Sequence, residues 1–208
     1  MAEPATVLLT GFEPFDGART NPSIDAVRLV AEQWRRPERL VTAQLPVSYE
    51  RAAERLERLL AEYEPTLVVA TGLAAARPGI SLERLAVNLC DAPIPDNDGA
   101  QPAEVAVVDG GPTGLWTSLP VKRALVALHA ADIPAVLSMT AGTYVCNAVF
   151  YRASAWAETE PGRRRAGFVH VPATEQLDLA SIARALHVVL EEALDPRPDL
   201  TATSGSVS

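Results

Sequence analysis

The side chains best suited to covalent chemistry are few in this chain. It holds two cysteines, Cys90 and Cys146, and three histidines, His129, His170 and His187. A cysteine that attacks a carbonyl carbon needs an imidazole beside it and a third group that orients the imidazole. The question is therefore which cysteine and which histidine the fold could bring together.

Cys146 has the setting of a nucleophile. The apolar run 133–137 predicts a buried strand, the small residues 140–143 break it, and helical spacing begins at Asn147. The first N–H groups of a helix are unpaired, and the helix dipole favours negative charge there. A thiol at this place would be partly converted to thiolate, the attacking form. Alternatively, Cys146 is a small buried hydrophobe, as most free cysteines are.

Two further residues could complete such a site. His170 ends the apolar strand predicted at 167–172, and Glu83 lies among apolar neighbours in a strand predicted at 80–89. With Cys146, both fall near predicted element ends that could meet at one sheet edge. Glu83 could instead belong to a solvated face. His129 and His187 lie in predicted helices, where structural roles suffice.

Alternating strands and helices surround these residues. Strands are predicted at 7–10, 40–47, 67–70, 80–89, 133–137 and 167–172, and helices at 21–34, after Ser48, at 120–131, from 147 and at 179–194. This order predicts an α/β fold with a mostly parallel twisted sheet and helices on both faces. One domain at 1–194 and a flexible tail at 195–208 are expected. The segment 91–114 is predicted to be a long loop with one short strand at 104–108.

Composition narrows the functional classes. The net charge of −8 argues against nucleic acid and anionic membranes as partners. Apolar runs are too short for a membrane span, and we expect no signal peptide. Two cysteines cannot build a disulfide framework, so a cytoplasmic location is expected. Motifs for nucleotide phosphates and structural zinc are absent from the sequence.

Two phenylalanines stand out in the turn-rich loop 11–17. Phe12 and Phe15 could fold back onto the core, or they could form the walls of a flat pocket. The sequence favours neither reading over the other.

Four motifs in order resemble those of one family. The first is Gly-Phe-Glu-Pro-Phe at 11–15 with Asn-Pro-Ser at 21–23. The second combines Gly-Leu-Ala at 72–74 and Arg77 with Ile-Ser-Leu-Glu-Arg at 80–84, Val-Asn at 87–88 and Ile-Pro-Asp-Asn at 94–97. The third is Ala-Gly-Thr-Tyr-Val-Cys-Asn at 141–147, and the fourth is Phe-Val-His-Val-Pro at 168–172. Together they resemble pyroglutamyl peptidase I, also called pyrrolidone-carboxylate peptidase. The likeness spans residues 8–172.

The resemblance implies an activity and an architecture. It implies hydrolytic removal of an N-terminal pyroglutamyl residue from peptides through a thioacyl-enzyme, with no metal or cofactor. It also implies a three-layer α/β/α sandwich of the phosphorylase/hydrolase type and a homotetramer.

The resemblance also implies roles for individual residues. Cys146 would be the nucleophile, His170 the acid and base, and Glu83 the orienting carboxylate. The substrate-binding residues would be Phe12, Phe15, Asn21, Tyr144 and Val145, with the two phenylalanines flanking the lactam ring and Asn21 supporting their loop. Apart from the resemblance, the backbone N–H of Cys146 at the predicted helix start is a candidate to stabilise the oxyanion. The side chain of Arg77, a cation in the loop before Glu83, is a second candidate.

The chain departs from the family pattern at two places. Pro93 stands where the family has an arginine, and Ala75 and Ala76 replace a pair that usually contains glycine. Pro93 leaves an alternative open, in which the chain is a catalytically weakened relative that binds pyroglutamyl N-termini or another small ligand. A further alternative is an unrelated binder on a similar fold.

Overall fold

A six-stranded sheet forms the centre of the molecule, whose computed structural model describes residues 5–203. The strands are β1 (Thr6–Phe12), β2 (Arg39–Leu45), β3 (Leu67–Leu73), β4 (Ile80–Glu83), β5 (Leu85–Val87), β6 (Gly114–Trp116), β7 (Ala135–Ser138) and β8 (Arg165–Val171). The main sheet has the order β2-β1-β3-β8-β4-β7, and β5 and β6 form a separate antiparallel pair.

The predicted mostly parallel sheet is confirmed, with one exception. The pairs β1–β2, β1–β3, β3–β8 and β4–β7 are parallel, whereas β4 runs antiparallel to β8. This reversal sets Ser81 opposite His170 and Glu83 opposite Phe168. The end of β4 therefore reaches the middle of β8, which brings an acidic side chain to the carboxyl-terminal half of the sheet's central strands.

Five helices cover the two faces of the sheet. They are α1 (Pro22–Gln33), α2 (Tyr49–Tyr63), α3 (Val121–Ala130), α4 (Val145–Glu158) and α5 (Leu179–Leu194). Helices α1, α3 and α5 share one core with strand residues such as Val7 and Leu9, while α2 and α4 share the other with Leu8. The alternation of strand side chains between two faces produces the expected three-layer sandwich. Among residues 5–203 no helix has both the length and the apolarity to span a membrane.

Three local predictions were wrong. The strand predicted at 80–89 splits at Arg84, where the chain leaves the main sheet and β5 pairs with β6. The strand predicted at 104–108 is only a bridge between Cys90 and Val105. The apolar run 133–137 gives β7, which is an edge strand with Val136 57% exposed rather than a buried strand. Hydrophobicity alone does not distinguish an edge strand from a central one.

The segment after α5 makes defined contacts as far as the structure describes it. The carboxylate of Asp199 accepts hydrogen bonds from the backbone N–H groups of Lys122 and Arg123 at the start of α3. The buried Arg123 side chain donates in turn to the carboxylate of Asp195 and to the carbonyl of Arg197. Residues 195–203 therefore cap a helix, which their composition did not predict. Residues 204–208 of the expected tail lie outside the described part of the chain.

Candidate active site

Cys146, His170 and Glu83 come from three different elements. Cys146 is the second residue of α4, as the helical spacing after it predicted, while His170 lies near the end of β8 and Glu83 ends β4. Cys146 and His170 line the same cavity. The sequence could only suggest that these three side chains meet, and the antiparallel placement of β4 is what brings Glu83 to His170.

A hydrogen bond joins the acid to the imidazole. Nδ1 of His170 lies 2.8 Å from Oε1 of Glu83, whose side chain is fully buried. An ionised carboxylate can only accept, so the neutral form of the imidazole donates from Nδ1 and keeps its lone pair on Nε2. The ring of Phe168 packs against the imidazole with its centroid 4.8 Å away. These contacts fix both the tautomer and the plane of the ring.

Gly72 makes room for the thiol. This residue of β3 is paired with His170 of β8, and a Cβ atom at position 72 would lie 2.7 Å from Sγ of Cys146 and 2.9 Å from Cζ of Phe168. Both separations are shorter than real Cβ atoms tolerate. A glycine is therefore required for the start of α4 to approach the strands, a role that sequence analysis missed.

The surroundings of the thiol favour its protonated form. Burial raises the pKa of Cys146 to about 12, and the negative charge of Glu83 contributes to the rise, whereas the backbone N–H of Cys146 and the guanidinium of Arg77 act in the opposite direction. Desolvation therefore opposes the helix dipole, and it makes the thiolate expected from the helix start less favourable than the sequence alone indicates. A proton acceptor such as His170 is needed to form the attacking species.

The N-terminus of α4 has no side-chain cap. In α1, α2 and α5 the side chains of Asn21, Ser48 and Asp178 accept from the first N–H groups, and Asp199 does so for α3. Within residues 5–203 no side chain does so at Tyr144, the residue before α4. The first N–H groups of α4 cannot bond within the helix either. They remain available to an anionic group beside Cys146.

A cavity of about 180 Å³ opens at Cys146 and is mostly apolar. Its walls are Phe12, Phe15, Asn21, Val47, Leu73, Ala141, Tyr144, Val145, Cys146 and His170. Both phenylalanines thus serve as pocket walls, and both also pack with the core on the α2 and α4 side, so the two interpretations of their loop hold together. A larger groove, of about 490 Å³, lies between α2 and α4, but neither cysteine nor histidine lines it.

Asn21 has its polar atoms occupied within the protein. Its Oδ1 accepts from the backbone N–H and the hydroxyl of Ser23, at 3.0 and 2.9 Å, and its Nδ2 donates to the carbonyl of Glu13 at 3.0 Å. The hydroxyl oxygen of Ser23 also accepts from the backbone N–H of Phe12. These bonds hold the start of α1 against the loop that carries Phe12 and Phe15.

Two residues discussed from the sequence lie away from the cavity wall. The Arg77 guanidinium is bound to Glu83, Ser138 and the carbonyl of Thr140, and Arg77 is not among the residues that line the cavity. Pro93 is exposed, in a loop whose neighbours Asp91 and Pro95 are bonded to Thr143 and Tyr144. The loop at 91–95 therefore lies beside the approach to Cys146.

Val47, Leu73 and Ala141 are pocket residues that sequence analysis did not find. Leu73 is the last residue of β3, and Val47 and Ala141 lie in connections that precede helices. The position of Leu73 at a strand's carboxyl end was the only available signal, since ligands bind at that edge of parallel sheets. Within residues 5–203 no cluster of three or more His, Cys, Asp and Glu side chains is arranged to hold a metal ion.

Comparison with known proteins gives a consistent result. The model of the pyroglutamyl peptidase family matches residues 5–191. A pyrrolidone-carboxylate peptidase of Clavibacter michiganensis is 43% identical, over 97% of this chain and 99% of its own. Among solved structures, the pyrrolidone carboxyl peptidase of Thermococcus litoralis superposes with a TM-score of 0.91 at 33% identity, over 96% of this chain and all of its own. Pyroglutamyl peptidase I of Bacillus amyloliquefaciens gives 0.88 at 34% identity, with the same coverage.

Proposed function

This chain belongs to the pyroglutamyl peptidase family, and we propose that it removes an N-terminal pyroglutamyl residue from peptides by thiol catalysis at Cys146. The observation that carries the assignment is the shared cavity. Cys146 and His170 line it together with Phe12 and Phe15, and Glu83 is hydrogen-bonded to Nδ1 of the imidazole. A nucleophile, its base and an aromatic pocket thus converge on one small site.

The first chemical step is acylation of the thiol. Nε2 of His170 takes the proton of the Cys146 thiol as sulfur attacks a carbonyl carbon of the substrate. This carbon is the one that joins the pyroglutamyl residue to the leaving amine, and not that of the lactam. Negative charge develops on the carbonyl oxygen, where the backbone N–H of Cys146 is the candidate donor at the uncapped start of α4. The imidazolium, stabilised by Glu83, then gives its proton to the leaving amine as the C–N bond breaks.

The second step releases the acid. Water attacks the thioester, and His170 takes one of its protons and returns it to the sulfur as the C–S bond breaks. Free pyroglutamate leaves, and the thiol is restored. The raised pKa of Cys146 fits this cycle, because it calls for a base such as His170 to take the thiol proton.

The shape and polarity of the pocket suit this substrate. The pyroglutamyl ring is small, flat and uncharged, with one lactam N–H and one lactam C=O. Phe12, Phe15 and Tyr144 offer aromatic surface, and Leu73 and Val47 close the apolar wall. An open-chain N-terminal glutamate would bring an ammonium and a carboxylate into a cavity whose walls include no Asp, Glu, Lys or Arg side chain.

Hydrolysis of a chromogenic pyroglutamyl amide tests this function. The purified protein should release the chromophore, and a thiol alkylating agent should abolish release. Glutamyl and prolyl amides with the same leaving group are the controls, since the first lacks the ring and the second lacks the lactam carbonyl. A folded protein that binds pyroglutamyl peptides without releasing the chromophore would instead be the weakened relative that Pro93 allows.

The oligomeric state and the cellular location are also part of the proposal. We expect a homotetramer, because the family resemblance implies one, and a cytoplasmic location, because two unpaired cysteines suit a reducing compartment. Light scattering on the purified protein checks the first, and a mass of a single chain would contradict it. Fractionation of the source cells checks the second.

A further inference from the structure

We propose that Arg77 is a positioning residue of this site, which ties the carboxylate that orients His170 to the loop that leads to Cys146. The inference rests on the proposed function. It replaces a direct role for Arg77 at the oxyanion with an indirect one, through Glu83.

The contacts of the guanidinium define this role. Nη1 donates to Oε1 of Glu83 at 2.5 Å and to the hydroxyl of Ser138 at 3.3 Å, and Nη2 donates to the carbonyl of Thr140 at 2.9 Å. Oε1 of Glu83 is the same oxygen that accepts from His170. One planar group thus bridges the acid and the backbone six residues before the nucleophile.

Burial makes this bridge important for Glu83. The side chain of Glu83 is fully buried, and its second oxygen, Oε2, has no hydrogen-bond partner within residues 5–203. A buried carboxylate needs a counter-charge and hydrogen bonds to offset its desolvation. In the described part of the chain, Arg77 supplies the one guanidinium bound to it, so both its charge balance and its orientation depend on Arg77 and His170.

The same guanidinium organises the loop 138–143. The Ser138 hydroxyl donates to the carbonyl of Thr140 at 3.1 Å, and the Thr140 hydroxyl oxygen accepts from the backbone N–H of Gly142 at 3.0 Å. Arg77 binds the first two members of this network. Ala141, in the middle of the loop, lines the substrate cavity. Displacement of this loop would shift both the cavity wall and the start of α4.

Charge gives Arg77 a second effect on the reacting groups. Glu83 faces His170 from β4, Cys146 faces the cavity from α4, and Arg77 faces Glu83 from the loop after β3. The positive charge of Arg77 partly cancels the field of Glu83 at both reacting groups. Without Arg77, the unbalanced carboxylate would stabilise the imidazolium of His170, and a higher pH would be needed to obtain the neutral base.

Kinetics of Arg77→Met and Arg77→Lys, measured with the chromogenic amide across pH, test the proposal. Arg77→Met keeps the aliphatic stem and removes the charge. We expect kcat to fall about 10²-fold, as misplaced catalytic groups cause. KM should rise by a smaller factor as the cavity wall at Ala141 shifts, and the acid limb of kcat/KM should move to higher pH. Arg77→Lys keeps the charge but cannot hold Glu83 and Thr140 together, so kcat should be intermediate and the limb should stay in place.

Arg84→Ala is the matched control. Arg84 follows Glu83 directly and contacts the same loop through the sulfur of Met139, but its guanidinium stacks on Trp116 and does not bind Glu83. Its loss should leave kcat and the pH profile as in the wild type. A wild-type protein without activity would contradict the proposed function itself. If the wild type is active, the role of Arg77 is refuted by an Arg77→Met variant whose acid limb does not move. It is equally refuted by an Arg77→Lys variant with the full wild-type kcat.

Discussion

Oε1 of Glu83 and Nδ1 of His170 lie 2.8 Å apart across two strands that run in opposite directions. Glu83 is the last residue of β4, and its register partner on β8 is Phe168, two residues before His170. Because residues two apart on a strand share a face, the carboxylate reaches the imidazole diagonally on the α2 and α4 side of the sheet. The one antiparallel pair of the main sheet is therefore what gives His170 its orienting group.

Single substitutions of His170 and Glu83 should lower turnover to different extents, because His170 is the base and Glu83 only orients it. His170→Ala should abolish turnover almost completely, and Glu83→Gln should cost about 10²- to 10⁴-fold in kcat through lost orientation. Steady-state kinetics with the chromogenic amide provide the measurement. His129→Ala and His187→Ala are the controls, since His129 bonds the carbonyl of Ala135 and His187 stacks on Trp34. An inactive but folded variant among these two would refute the assignment.

The reactivity of the resting thiol should follow its raised pKa. Burial and the charge of Glu83 favour the protonated form, and the pKa of about 12 lies above neutral pH. Alkylation of Cys146 by a small neutral reagent, followed by mass spectrometry, should therefore accelerate steadily as pH rises, without a plateau in the range where the protein stays folded. A plateau reached near neutral pH would mean that the thiolate already exists without substrate.

Truncation of Phe15 should weaken recognition of the ring. Phe15 lines the cavity with its ring centroid 6.5 Å from that of Tyr144. Phe15→Ala should raise KM for the amide and the inhibition constant of free pyroglutamate together, by about tenfold, since lost aromatic contact acts on the ring in both. Trp156→Ala removes an aromatic ring from the other groove and should change neither constant. Unaltered inhibition by pyroglutamate in Phe15→Ala would exclude this wall from the binding site.

Introduction of an arginine at position 93 should increase turnover. Pro93 lies in the loop bonded to Thr143 and Tyr144, and proline offers neither charge nor N–H. A guanidinium that reaches the oxyanion could contribute up to about 10²- to 10³-fold, the usual value of one such donor. Ile94→Arg places the same charge on the exposed neighbour and should have little effect. Equal kcat for Pro93→Arg and the wild type would show that the site needs no cation there.

The layered fold was predictable because it depends on patterns that repeat along the chain. Alternating apolar strands and amphipathic helices indicated the mostly parallel sheet, and side chains such as Asn21 and Ser48 marked helix starts correctly. The direction of β4 was not predictable, because the sequence pattern of a short apolar strand is the same whether it runs parallel or antiparallel to its neighbour. The pairing of β5 with β6 was missed for a related reason, since Gly114–Trp116 is too short to show a period.

The site residues were predictable in type but not in arrangement. Cys146, His170 and Glu83 were found as the chemically suitable side chains near element ends. Their meeting depends on Gly72, which admits the thiol, and on the register of β4, which no local pattern encodes. The rise in the pKa of Cys146 was not predictable, because the sequence shows the helix start but not the burial that opposes it. Arg77 was a candidate for the oxyanion because only the folded chain shows its guanidinium bound to Glu83, Ser138 and Thr140.

Turnover of the chromogenic pyroglutamyl amide by Cys146→Ala is the measurement that tests the thiol mechanism most directly. Cys90→Ser is its matched control, because Cys90 is the other free cysteine and is buried beside Val105, away from the cavity of His170. With the fold verified by circular dichroism, Cys146→Ala should lose at least about 10³-fold in kcat, as a lost nucleophile does, and Cys90→Ser should stay close to the wild type. Substantial turnover by Cys146→Ala would contradict the assignment of Cys146 as the nucleophile.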